Sequence, residues 1–119
     1  MKRLWNALFY SLAGLRAAWH EPALRLEMVM LVVAIPFALW LPVGALERLL
    51  LTGSVVAIFV VEILNTSVEA AIDRISEELH PLSKLAKDLG SAAVFIAALF
   101  AAAVWLTVTV PIGYRMIIA

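Results

Sequence analysis

Val61-Glu62-Ile63-Leu64-Asn65-Thr66-Ser67-Val68-Glu69-Ala70-Ala71-Ile72-Asp73 continues an apolar segment that begins at Leu49. It therefore reads as the second half of a membrane-spanning helix. Within it Glu62, Asn65, Glu69 and Asp73 recur at i, i+3, i+7 and i+11. At about 100° per residue, that spacing puts all four on one narrow stripe of a helix. An acidic side chain near bilayer depth costs roughly 2.5–3.5 kcal/mol on insertion scales. Several on one face persist only if they pair, bind a cation or carry out chemistry.

The composition supports the membrane reading. Of 119 residues, 65% are hydrophobic, and the mean hydropathy is +1.02. Soluble domains are nearer about 45–50% apolar. Nine basic and nine acidic residues cancel, so no net field draws the chain to nucleic acid. Without cysteine there is neither a disulfide framework nor thiolate chemistry. The opening Lys2-Arg3-Leu4-Trp5-Asn6-Ala7 lacks the apolar region and cleavage site of a signal peptide. Residues 1–119 read as one membrane domain. It is too small to enclose a substrate alone, so an oligomer is expected.

Four helices are expected. Over residues 2–20, Leu4, Trp5, Leu8, Phe9, Leu12, Leu15 and Trp19 share one arc. Arg3, Asn6, Tyr10, Ala13 and His20 lie opposite, with Arg16 at the edge. Such a pattern suits an amphipathic helix lying on the membrane surface. Transmembrane helices follow at about 26–46, 49–73 and 87–113, close to the length a bilayer requires. In the first, Pro36 should introduce a kink, Trp40 suits an aromatic belt, and Leu41-Pro42-Val43-Gly44 is its exit turn. Arg74 to Lys87 forms the main polar loop, and Pro111-Ile112-Gly113 should fray the last helix. The fold class is all-α integral membrane. Orientation follows from the basic residues: Lys2, Arg3, Arg16, Arg25, Arg74, Lys84 and Lys87 fall on one side, Arg48 and Arg115 on the other. Positive charge favours the cytoplasm. The N-terminus and the 74–87 loop are therefore expected inside and the C-terminus outside, with the acidic stripe opening toward cytoplasmic nucleotide.

Three polar clusters meet on that side. They are the stripe, the group Glu21, Arg25 and Glu27, and the group Lys84, Lys87, Asp88 and Ser91. Carboxylates from two segments, such as Glu21 and Glu69, could hold a hard divalent cation that also touches phosphate. Lys87 could neutralise phosphoryl oxygens, and Glu62 could take a proton from a hydroxyl at the membrane surface. These are the parts phosphoryl transfer needs. No P-loop motif occurs. Plainer roles compete. Glu21 with Arg25 and Lys84 with Asp88 are i, i+4 surface pairs. Asn65, Thr66 and Ser67 suit helix–helix contact, and the two histidines lack metal spacing. A proton relay or ion path would also explain Glu62.

A resemblance favours the first reading. Glu62-Ile63-Leu64-Asn65-Thr66-Ser67-Val68-Glu69, then Asp73-Arg74, then Ala86-Lys87-Asp88-Leu89-Gly90-Ser91-Ala92-Ala93 closely resemble the prokaryotic diacylglycerol kinase family. Gly14-Leu15-Arg16-Ala17-Ala18-Trp19 is similar to its N-terminal signature. The resemblance implies a homotrimer of three-span protomers in the bacterial cytoplasmic (inner) membrane. It implies transfer of the γ-phosphate of MgATP to a lipid alcohol, at sites shared between protomers. Glu62 would be the catalytic base, and Glu21 and Glu69 would hold Mg²⁺. Arg3, Tyr10, Lys87, Asp88 and the stretch Glu78, Leu79, His80 would contact nucleotide, together with the two metal-binding carboxylates. Arg3, Trp19, Ala23, Glu27, Trp40, Asn65 and Ser91 would line the lipid side or support the base. His80-Pro81-Leu82 is similar to the branch acting on undecaprenol. The Leu-Arg-Ala-Ala-Trp and Gly-Ser-Ala-Ala blocks favour diacylglycerol.

Overall fold

The computed structural model describes residues 1–119. It is all-helical: α1 (Lys2–Trp19), α2 (Pro22–Trp40), α3 (Ala45–Ile75) and α4 (Pro81–Ile118). The last three are long and apolar enough to cross a membrane. At 1.5 Å per residue, α3 is about 46 Å long and α4 about 57 Å. Both exceed a hydrocarbon core of about 30 Å, so their polar ends project beyond it.

Local chemistry sets the helix ends. α1 stops where the His20 amide bonds to the Ala17 carbonyl at 3.0 Å. Glu21 is extended (φ −94°, ψ 121°), as a residue preceding proline prefers, and Pro22 opens α2 where its missing N–H costs nothing. α2 continues through Pro36 to Trp40 and ends at extended Leu41, again before a proline. Arg48 of α3 then reaches back across the turn. Its Nη2 donates to the carbonyls of Leu41 at 3.1 Å and Val43 at 3.3 Å, tying α2 to α3.

The polar loop is shorter than its charged sequence suggests. α3 continues to Ile75 and α4 already starts at Pro81. Charge alone does not end a helix. The His80 Nδ1 accepts from the Leu82 amide at 3.1 Å, and Lys84 pairs with Asp88 at 2.6 Å within the helix. α4 also runs past Pro111 and Gly113 to Ile118, where fraying was expected. Pro111 removes one N–H but its own carbonyl still accepts from Arg115 Nε at 3.3 Å.

Two small apolar clusters hold the helices together. Ala18, Leu24 and Phe59 join α1, α2 and α3, with Met28, Leu31 and Ile63 against them. Ala38, Leu41 and Leu51 form the other, with Val43, Val104, Trp105 and Val108. Trp105 Nε1 donates to the Leu51 carbonyl at 3.1 Å, and its ring stacks on Phe37 at 6.2 Å. Only 8 of 119 residues are buried. Most apolar side chains therefore face outward and need lipid or another chain to cover them.

Candidate active site

α3 and α4 run antiparallel, and three contacts fix their register. Lys87 Nζ meets Asp73 Oδ1 at 2.8 Å. Gly90 lies against Asn65, and Trp105 bonds to Leu51. This register places Lys87 near the level of Glu69, whose charge acts on it, and Ser91 near that of Asn65. The polar cluster opening α4 is thus delivered to the acidic stripe of α3, although the two are separate in sequence.

Within the stripe, Glu62, Asn65 and Glu69 are half-buried and Asp73 is exposed. Asn65 Nδ2 donates to Glu69 Oε1 at 3.3 Å. The second oxygen of Glu69 has no hydrogen bond within the chain. Asn65 Oδ1 is buried without a partner. Deeper in, Glu27 on α2 is half-buried within reach of the charge of Glu62 on α3.

Beyond the stripe, a cleft of about 650 Å³ opens over the α3–α4 turn. Asp73, Glu78, His80, Lys84, Lys87 and Asp88 are among the residues lining it. The loop is shaped by its own polar groups: the Glu78 amide donates to Ser76 Oγ at 3.0 Å. Lys84 precedes the uncharged run of α4. Its hydrogen bond to Asp88, then that carboxylate's charge, hold it above the ordinary lysine range.

The structure gathers the expected residues unevenly. Glu78, Leu79, His80, Lys87 and Asp88 share the cleft, and Glu62, Asn65 and Glu69 share a helix face. Glu21 is exposed at the N-terminus of α2, next to Ala23. Trp19 lies 6.0 Å from the Arg25 guanidinium. Arg3 and Tyr10 are exposed on α1, outside the cleft. Trp40 is at the opposite end of α2 from Glu21, beside Phe37 at 5.9 Å. No three His, Asp or Glu side chains gather into one group. Asp73, a member of the stripe with no individual role expected, is the partner of Lys87. Gly90, legible in the sequence only as part of a motif, lies against Asn65.

Comparison with known proteins decides the lineage. Residues 9–109 match the profile of the prokaryotic diacylglycerol kinase family. The chain belongs to that family. It is 50% identical over 104 residues to the diacylglycerol kinase of Escherichia coli (strain K12), covering 87% of this chain and 85% of that protein. The diacylglycerol kinase of Pseudomonas aeruginosa is 46% identical over 109 residues, covering 91% and 89%. That of Helicobacter pylori (strain ATCC 700392 / 26695) is 42% identical over 105 residues, covering 87% and 82%.

Proposed function

We propose that the protein is a homotrimeric kinase that transfers the γ-phosphate of MgATP to the free hydroxyl of diacylglycerol. It would act at the cytoplasmic face of a bacterial inner membrane. The observation that carries this reading is the α3–α4 register, which brings Lys87 level with the carboxylate stripe in a chain of this family. The basic residues of the N-terminal helix and the α3–α4 turn support a cytoplasmic site. α1 would lie on the membrane surface.

Glu62 takes the hydroxyl proton of the lipid. The freed oxygen then bonds to the γ-phosphorus as the bond to the bridging oxygen breaks, and ADP leaves. Glu62 and Glu69 are about 10 Å apart along α3 at 1.5 Å per residue, which leaves room for a hydroxyl and a phosphoryl group between them. Lys87 answers the negative charge on the phosphate. Arg3, Tyr10, Glu78, Leu79, His80 and Asp88 serve the nucleotide. Trp19, Ala23, Glu27, Trp40, Asn65 and Ser91 serve the lipid or support the base.

The donor set suits Mg²⁺: hard carboxylate oxygens, with one oxygen of Glu69 uncommitted. Because no larger carboxylate group forms, Glu21 and Glu69 would hold the ion together with substrate phosphates. Bound there, the ion neutralises charge on the phosphates. The scarcity of buried side chains in one protomer supports a trimer, with sites shared between neighbours.

The test is radiolabelled ATP with purified protein in micelles, offering diacylglycerol and undecaprenol in parallel. Labelled phosphatidic acid is expected to dominate. Label confined to undecaprenyl phosphate would assign the chain to the other branch, and label in neither lipid would overturn the proposal.

A further inference from the structure

Gly90 differs from every other glycine in the chain. A Cβ added at Gly14, Gly44, Gly53 or Gly113 would meet nothing within 4 Å. At Gly90 it would fall on Asn65 Oδ1, and it would lie 3.1 Å from Asn65 Cγ and 3.8 Å from Asn65 Cβ. Glycine weakens a helix interior relative to alanine. Its presence within α4 therefore calls for a local reason, and contact with the Asn65 amide supplies one.

That amide has two unlike ends. Nδ2 donates to Glu69 Oε1 at 3.3 Å, and Oδ1 faces Gly90, buried and unpartnered. Turning the amide over would set oxygen against carboxylate, acceptor against acceptor. Only the bare Cα of a glycine leaves space for the arrangement that gives Glu69 a donor. We propose that Gly90 is a positioning residue for Glu69, acting through Asn65. The inference rests on reading Glu69 as a metal-binding carboxylate. With Oε1 held by Asn65, the other oxygen of Glu69 is kept in one orientation. A neighbour that orients a metal ligand commonly matters about 10–100-fold in affinity.

A methyl group at position 90 collides with the end of a side chain, not with backbone. The helices need not separate; Asn65 must rotate away and release Glu69. The lesion is therefore local, and removing the Asn65 amide should abolish it. In an Asn65→Ala background the methyl added by G90A meets nothing closer than the Cβ of position 65, at 3.8 Å, an ordinary contact.

The experiment measures Mn²⁺ binding by electron paramagnetic resonance. It uses full-length protein in micelles with a non-hydrolysable ATP analogue, comparing wild type, G90A, N65A, N65A/G90A and E69Q. G90A and N65A should each weaken Mn²⁺ binding by roughly 10-fold, and the double variant should bind no worse than N65A. Wild-type affinity in G90A, or a further loss on adding G90A to N65A, would overturn the proposal. The second comparison holds even if G90A alone fails to fold. If E69Q binds Mn²⁺ like wild type, the metal role of Glu69 fails and this inference falls with it. If E69Q weakens binding while G90A does not, the Gly90 inference alone is wrong.

Discussion

Replacing Glu62 with glutamine separates a catalytic carboxylate from a structural one, because the two roles call for opposite effects on stability. The substitution keeps shape and hydrogen-bonding capacity but removes basicity. Loss of a general base costs about 10²–10⁴-fold in turnover, equivalent to roughly 2.7–5.4 kcal/mol of barrier. The folded protein should gain. For a span that begins at Leu49, Glu62 lies about 20 Å along it at 1.5 Å per residue, past the middle of a core about 30 Å thick and toward its cytoplasmic side. Glutamine is itself polar and still pays to be desolvated, so losing the charge recovers only part of the insertion cost, roughly 1 kcal/mol or less. Turnover is measured with radiolabelled ATP and diacylglycerol in mixed micelles, and stability by thermal unfolding in the same detergent. A variant with near-normal turnover would remove Glu62 from the chemistry. Lost activity with lowered stability would make it a structural residue whose charge the fold requires.

Three further outcomes are expected. Lys87→Ala should raise the KM for ATP about 10-fold or more, since it deletes a charge-assisted hydrogen bond to phosphate and leaves no replacement donor. Its pairing with Asp73 is exposed, so thermal unfolding should change little, and an unchanged KM would remove Lys87 from the phosphate. Trp105→Phe keeps the ring but deletes the bond to the Leu51 carbonyl; thermal unfolding should show a loss of about 0.6–1.7 kcal/mol, with kcat retained. Mixing Glu62→Gln with Lys87→Ala protein should leave mixed trimers inactive, because the register sets Lys87 beside the stripe of its own chain and every site then carries one lesion. Activity restored to the fraction set by random assembly would mean that Lys87 serves the stripe of a neighbouring protomer.

The acidic stripe was legible in the sequence because helical period and insertion cost act within one segment. Glu62, Asn65 and Glu69 share a face whatever packs against α3, and the three apolar runs are long enough to span without reference to one another. What stands across from that face is a different kind of information. Nothing in the run Ala86 to Ala93 says that Gly90 meets Asn65 or that Lys87 meets Asp73. Those pairings follow from where α3 ends and α4 begins, and charge content misjudged both points. Ile75 remains helical, and the His80 side chain caps a helix that Pro81 opens. Register is sensitive to that turn. One residue added between Ser76 and His80, if absorbed by α4, would shift it by about 1.5 Å and turn it by about 100°. Gly90 would leave Asn65 and a larger side chain would take its place. The five-residue connection therefore decides which side chains of α4 face the stripe, whatever its own side chains touch.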